Sequence, residues 1–387
     1  MTAQPTWVRM VRASGDTTGA EDLANIHAAR DAFYASSLHP YAHGLIVLPN
    51  KSYYVNAPIV LGDKSAPSTN YMAPGLAGVG VAYITYTGAH ALASYLITLA
   101  GNTGDAAVRL SNLYLNCAYK IRGLLSHTQT YFHSIQNIVV DSSMNVGVDV
   151  VDSWKGSIRN VHVRAGRGIG MRLRTANQMF IENIRIAYMA DSYWPELNDT
   201  SVPTYQAGVY VQTPDVERAG LVLSKCSLNT LRDVMFEGNT LGARPLCSID
   251  DECAQVFFEG SLYSEADDSS DAKILIVGGS DNTGNEMEYG FENVMVYQQT
   301  PAYNSLIKTT GYVTGVRVNG LVSTPCTVTN VVKAATGVLV DCECDRIRAV
   351  GPSGALPSAN YIAAAEGASF VNARAIGADN STYEEYT

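Results

Sequence analysis

The chain is poor in charge, and it has no basic excess, no paired CxxC cysteines and no long apolar run. Of 387 residues only 16% are charged, and 36 acidic residues against 26 basic ones leave a net charge of -10. Nucleic-acid binding calls for a cationic face that displaces counterions from phosphates, so this balance argues against that partner. No apolar stretch approaches the ~18 residues of a helical membrane span, which excludes helical membrane insertion. The opening MTAQPTWVRM lacks the apolar core of a secretory signal, so export by that route is not expected. Seven cysteines occur without a CxxC pair or a neighbouring histidine cluster. Cys342 and Cys344 share a face if they lie on a strand, and they read as small buried residues rather than zinc ligands. Neither a disulfide framework nor a metal or other cofactor is expected.

What the chain does have is a near-repeat. Residues 147–163 read GVDVVDSWKGSIRNVHV, and residues 170–186 read GMRLRTANQMFIENIRI. In each copy an asparagine, Asn160 or Asn183, stands 13 residues after the glycine, Gly147 or Gly170. Alternate residues are apolar after the glycine (Val148 and Val150; Met171 and Leu173) and again after the asparagine (Val161 and Val163; Ile184 and Ile186). Two short strands per 23-residue period describe one coil of a solenoid, not a helix. Asn112, Asn137, Asn160 and Asn183 precede similar apolar triplets at steps of 25, 23 and 23 residues. Asp233, Glu259, Asn293, Asn319 and Asp345 continue the series less regularly. A polar residue recurring at one corner suits a turn, where Asn and Asp tolerate unusual backbone angles.

Ahead of the coils, residues 15–36 carry Ala24, Ile26, Ala28, Ala29, Ala32 and Phe33 at helical spacing, with Thr17, Thr18 and Asp22 near the start. Residues 44–62, GLIVLPNKSYYVNAPIVLG, then read as short strands broken at Pro49-Asn50 and Ala57-Pro58. Gly15, Asp16, Thr17, Ala24, Ile26 and Ala29, followed by Val47, Leu48, Pro49, Tyr54, Val55, Pro58, Ile59 and Leu61, make this opening resemble that of the pectate-lyase-like right-handed β-helices of phage tailspikes and related polysaccharide-degrading enzymes. The usual form there is GDGxTDDTxAIQxAID, then GGxVxLPxGxYxIxxPLxL. This chain departs from it in having a single Gly-Asp, a displaced Glu21-Asp22 and a longer link. The resemblance implies an all-β, right-handed single-stranded parallel β-helix whose N-terminal α-helix caps the first coil. The expected segments are an arm over 1–15, the capping helix and link over 16–43, the β-helix over 44–350, and a last imperfect coil with an acidic tail over 351–387. It also implies a homotrimer that meets other virion proteins through the arm, located on a phage tail or capsid surface.

Inward residues of a solenoid are structural, so function is sought among outward residues, which stack between coils. Alignment on the glycines places Asp149, Arg172 and Tyr210 in one outward column, and Val151, Arg174 and Gln212 in the next. Alignment on the asparagines gives Arg164, Ala187, Glu237, Tyr263 and Tyr297. The strongest interruption of the repeat, residues 188–207, carries Tyr188, Asp191, Tyr193, Trp194, Glu196, Asp199 and Tyr205, and a second interruption is read over 214–229. Flat aromatic rings stack on sugars, and carboxylates bond hydroxyls or exchange protons. The candidate catalytic carboxylates are Asp149, Asp152, Glu237 and Glu265. The candidate substrate-binding residues are Arg172, Arg174, Tyr210, Gln212, Tyr193, Trp194 and Glu196. Hydrolysis would use two of the carboxylates. A lyase would instead use Arg172, Arg174 and Arg185 to hold a uronate carboxylate, with His162 beside them. Asp149 with Arg172 also reads as a purely structural pair.

The function expected on these grounds is a phage tailspike or tail-fibre protein that binds and hydrolyses a bacterial surface polysaccharide. A polysaccharide lyase and a non-catalytic virion or capsid-decoration protein are the alternatives.

Overall fold

A computed structural model describes residues 8–35, 44–61, 74–100, 109–131, 133–189, 219–239, 245–265, 271–279, 288–297, 303–324, 328–351, 354–355, 361–377 and 383–386. The chain is almost all β, a parallel β-solenoid with a single helix near the N-terminus among the described residues. It divides into two compact units, Met1–Phe180 and Ile181–Thr387.

In the first unit the helix Ala20–Tyr34 lies on the strands Leu45–Pro49, Ser52–Val55 and Ile59–Leu61. It buries Asp22, Ile26 and Phe33, whereas Ala24 and Ala28 of the expected stripe face solvent. Phe33 packs directly on Gly44, where any side chain would meet the ring. Its start is not capped by Thr17 or Thr18. Gly19 takes the N-cap in a left-handed conformation, and the Asp16 carboxylate accepts from the amides of Thr18 and Glu21. Asp22 is wholly buried and pairs with backbone rather than with the helix start. Its two oxygens accept the amides of Ser14, at 2.7 Å, and Tyr54, at 2.8 Å. One carboxylate thereby ties the arm, the helix and the first coil together.

The coils that follow keep the expected register. Strand Met144–Trp154 pairs in parallel with Arg167–Asn177, setting Val148 on Met171, Asp149 on Arg172, Val150 on Leu173 and Val151 on Arg174. Val148, Val150, Met171 and Leu173 are fully buried. Each such side chain contributes roughly 1.5–3 kcal/mol on leaving water. The glycines of the ruler are explained by crowding between coils. A Cβ on Gly147 would lie 2.6 Å from the carbonyl oxygen of Gly170 and would overlap Val163, and one on Gly123 would overlap the Gly147 carbonyl. The asparagine corner is left-handed, with φ of 58° at Asn112, 54° at Asn137 and 53° at Asn160. Asn is the residue type that best tolerates this conformation after glycine. The amides also bond to one another: Asn160 Nδ2 donates to Asn137 Oδ1, and Asn137 Nδ2 to Asn112 Oδ1, both at 2.9 Å, and Asn112 donates to the Gly78 carbonyl.

In the second unit the strands Ser227–Glu237, Ala254–Glu265, Tyr289–Tyr297, Val316–Thr324 and Glu343–Gly351 stack in the same manner. Asn183, Asp233 and Asn293 are again left-handed, but further along the left-handed residue is Gly260, Gly320 or Arg346, one place after Glu259, Asn319 and Asp345. The interruption expected over 214–229 is smaller than supposed. Leu221–Ser224 is a strand, the next strand begins at Ser227, and Leu221, Leu223 and Asn229 are buried. Cys342 and Cys344 are buried as well. At the C-terminal end Tyr383–Tyr386 folds back antiparallel on Ala373–Gly377, which covers an otherwise open edge.

Candidate functional site

In the second unit, two and four residues beyond the left-handed Asp233 stand the part-exposed Met235 and Glu237, and the same steps beyond Asn293 give the exposed Met295 and Tyr297. The pairing there corrects the expected column. Arg232 pairs with Glu259 but Val234 pairs with Leu262, so Gly260 and Ser261 together oppose the single residue Asp233. The Asp233 carboxylate holds this bulge by accepting from the amide and the hydroxyl of Ser261, both at 3.0 Å. Everything after the bulge moves by one place. Glu237 therefore stacks on Glu265 and Glu265 on Tyr297, while Tyr263 stands in a neighbouring column between Met235 and Met295.

This arrangement brings two carboxylates together on adjacent coils. Glu237 is held from both oxygens: Arg185 forms an ion pair with Oε2, and the Tyr188 hydroxyl donates to Oε1 at 3.0 Å. Tyr188 itself is left-handed, with φ 56°, and its ring lies on Gly238, where a Cβ would come within 2.7 Å. Glu265 accepts one hydroxyl, from Tyr263 to Oε2 at 3.0 Å. The Tyr188 phenol is pushed above its ordinary range by its hydrogen bond to Glu237. Burial and then the Glu265 bond do the same for Tyr263. Around the pair the surface is aromatic and apolar: Tyr188 is 55% exposed, Met295 44% and Tyr297 39%. Among the expected candidates, Glu237, Glu265 and Arg185 thus come together in one unit, and Arg185 serves Glu237 rather than the other arginines.

In the first unit the glycine alignment holds, but the environment of Asp149 is not that of an open carboxylate. Asp149 has no exposed surface. Arg172 reaches it through Nε to Oδ1 at 3.2 Å and Nη2 to Oδ2 at 2.7 Å. Arg174 does the same at 3.3 and 2.9 Å. The Tyr95 hydroxyl donates to Oδ2, and Arg122 stacks over the Tyr95 ring, 5.3 Å from its centre. Burial would raise the Asp149 carboxyl, but the Arg172 hydrogen bond, the charges of Arg172 and Arg174 and the Tyr95 bond together hold it below its ordinary range. Tyr95 is pushed up by burial first and by Asp149 second. Asp152 occupies a left-handed corner of the same strand, with φ 52°. His162 stacks on Val139 in the strand Ser157–Arg164, while the arginine pair stands on the strand that follows. Tyr95 and Arg122 escape a reading by period because strand Ala91–Ala100 meets its neighbour through a register shift between Ala91 and Tyr95.

Tyr193, Trp194, Glu196, Tyr210 and Gln212 lie outside the described residues. No group of metal-ligating side chains capable of holding an ion occurs among the described residues. No described helix is long and apolar enough to cross a membrane.

No family model and no curated protein matches the chain. Among solved structures it is similar to the ORF18 protein of Geobacillus virus E2, with a TM-score of 0.52 and 9% identity over 95% of this chain and 61% of that one. It is also similar to the catalytic domain of a GH87 alpha-1,3-glucanase in complex with nigerose (TM-score 0.45, 12% identity, 98% of this chain and 66% of that one). A third is the A-module of the Azotobacter vinelandii mannuronan C-5 epimerase AlgE6 (TM-score 0.38, 13% identity, 92% and 97%). The chain spans less than two thirds of the first two. At such identities the likeness is one of fold.

Proposed function

We propose that the protein binds a polysaccharide across the outward face of its second unit and hydrolyses it with Glu237 and Glu265. The observation that carries this reading is the stacking of the two glutamates on adjacent coils, flanked by Tyr188, Tyr263 and Tyr297. Neighbouring coils are about 4.8 Å apart, and the two side chains have equal length. That spacing is close to the ~5–5.5 Å between carboxyl groups in retaining glycosidases and short of the ~6.5–9.5 Å of inverting ones. Glu237, fixed by Arg185 and Tyr188, suits the nucleophile. Glu265, whose Oε2 accepts the Tyr263 hydroxyl, suits the acid and base. Tyr188, Tyr297 and Met295 supply the flat apolar surface on which sugar rings rest.

The setting we propose is a phage tailspike or tail fibre acting on a bacterial surface polysaccharide. It is supported by the resemblance of the opening residues, Gly15 to Ala29 and Val47 to Leu61, to that family. A homotrimer, and attachment to other virion proteins through the arm, belong to the same proposal.

The test is incubation with a panel of purified capsular and O-antigen polysaccharides, following new reducing ends and the ultraviolet absorbance of unsaturated uronates together. Reducing ends without absorbance are expected. Absorbance rising with them would replace hydrolysis by elimination. Silence across the panel, from folded protein, would leave a binding or structural protein.

A further inference from the structure

The Asp149 cluster has a stoichiometry that internal pairing does not require. Arg164 with Asp141, Arg185 with Glu237, Arg374 with Glu343 and Lys308 with Asp271 each set one cation on one carboxylate. Asp149 instead receives two complete guanidinium forks, with a third arginine, Arg122, stacked on the tyrosine that also bonds it. This concentration of positive charge occurs in a chain whose net charge is -10.

The geometry of Arg174 shows what the second fork leaves over. A guanidinium carries five N–H donors in one plane. Arg174 spends its Nε and one Nη2 hydrogen on Asp149, so its outer edge, formed by Nη1 and the other Nη2 hydrogen, keeps the fork shape that matches a planar carboxylate. Its side chain is 40% exposed, against 13% for Arg172 and none for Asp149. Asp149 lies beneath, bonded to Tyr95, so Arg174 is fixed in direction before any ligand arrives. Such fixing lowers the entropy lost on binding.

We infer that Arg174 presents a binding site for the carboxylate of an acidic sugar, with Arg172 adding charge behind it and Asp149 acting as the positioning residue. That the carboxylate belongs to a sugar rests on the polysaccharide reading above, whereas the preference for a carboxylate rests on the arginines alone. Asp149 is then a residue that orients the ligand-binding arginine and touches no substrate.

The test is calorimetric titration of the full chain with oligomers of glucuronate and of glucose, equal in length and linkage, and with inorganic phosphate at matched ionic strength. The wild-type protein should bind the acidic oligomer at least tenfold more tightly than the neutral one. Arg174→Gln should abolish that preference and lower the urea midpoint, because the buried Asp149 keeps only the Arg172 fork, while the variant's circular dichroism without denaturant matches that of wild type. Arg174→Lys, a charge without a fork, should restore part of the preference. Equal binding of both oligomers by wild type, or a preference that survives Arg174→Gln, would overturn the inference. Phosphate bound as tightly as the acidic oligomer, and lost in Arg174→Gln, would overturn the assignment to a carboxylate. Loss of hydrolysis with the acidic preference intact would count only against the catalytic pair. Hydrolysis without that preference would count only against Arg174.

Discussion

At the scale of single residues, the catalytic proposal and the acid sensitivity of the fold each turn on one side chain. Glu237→Gln and Glu265→Gln remove a carboxylate while keeping its size and its place on an outward column. Each should lower hydrolysis by about 10²-fold or more. The urea midpoint should fall little for Glu265, which gives up a single tyrosine bond. Initial rates on whichever polysaccharide is cleaved, measured beside denaturation curves, separate the two effects, and near-wild-type turnover in either variant would remove that residue from the mechanism. His133 acts on stability instead. It is 1% exposed, neither ring nitrogen has a partner among the described residues, and burial lowers its pKa from 6.5 to about 4. The folded state therefore favours the neutral ring. Between pH 6.5 and 4 the unfolded chain binds the proton that the folded chain refuses, so the contribution of His133 is complete above pH 6.5 and is lost as pH falls towards 4. By pH 5 the loss is about 2 kcal/mol. His133 stacks through Gly156 on Met179, which identifies methionine as a side chain that fits this interior column. His133→Met should flatten the pH dependence of the denaturation midpoint by that amount relative to wild type, and parallel curves for the two proteins would refute the assignment.

At the scale of the coil, the asparagine ladder and the glycine column state in three dimensions what the 23-residue period states in one. The period was legible because each coil imposes the same two local demands: a left-handed corner that Asn meets, and a backbone approach that only glycine allows. The outward column of the second unit was legible less well. A corner residue followed by glycine, as in Glu259-Gly260 and Asn319-Gly320, moves the left-handed position by one, and a polar corner taken without its neighbour hides that shift. Glu237 and Glu265 were thus found as residues but not as a stack. Asp149 was placed in the right column with the right arginine, yet its burial depends on Tyr95, Arg172 and Arg174 closing over it from neighbouring strands, and no single repeat records that. Asn137, in the middle of the ladder, tests the element. Asn137→Gly keeps the left-handed backbone but loses two amide bonds, and should cost about 1–2 kcal/mol. Asn137→Ala loses the same bonds and adds about 1 kcal/mol of left-handed strain. Urea denaturation should rank wild type, glycine and alanine in that order. Alanine as stable as glycine would show that the corner conformation is not what asparagine supplies.

At the scale of the whole molecule, the chain is an acidic body offering a local arginine site to an acidic ligand, and the two fields differ in range. The net charge of -10 repels a polyanion from afar, and added salt weakens that repulsion, since the screening length shrinks from about 30 Å at 0.01 M to about 8 Å at 0.15 M. The contact with Arg174 forms at hydrogen-bond distance on a half-exposed side chain backed by a buried carboxylate, where salt screens less. The association rate should therefore respond to salt in the direction opposite to that of partners that attract one another. As salt rises across that range, the association rate of a glucuronate oligomer should rise several-fold, its dissociation rate should change little, and a glucose oligomer should show no dependence on salt. Stopped-flow or surface-based kinetics at constant pH would read all three. An association rate that fell with salt would mean that the field met by the approaching ligand is positive, and that the arginine cluster, rather than the net charge, governs its approach.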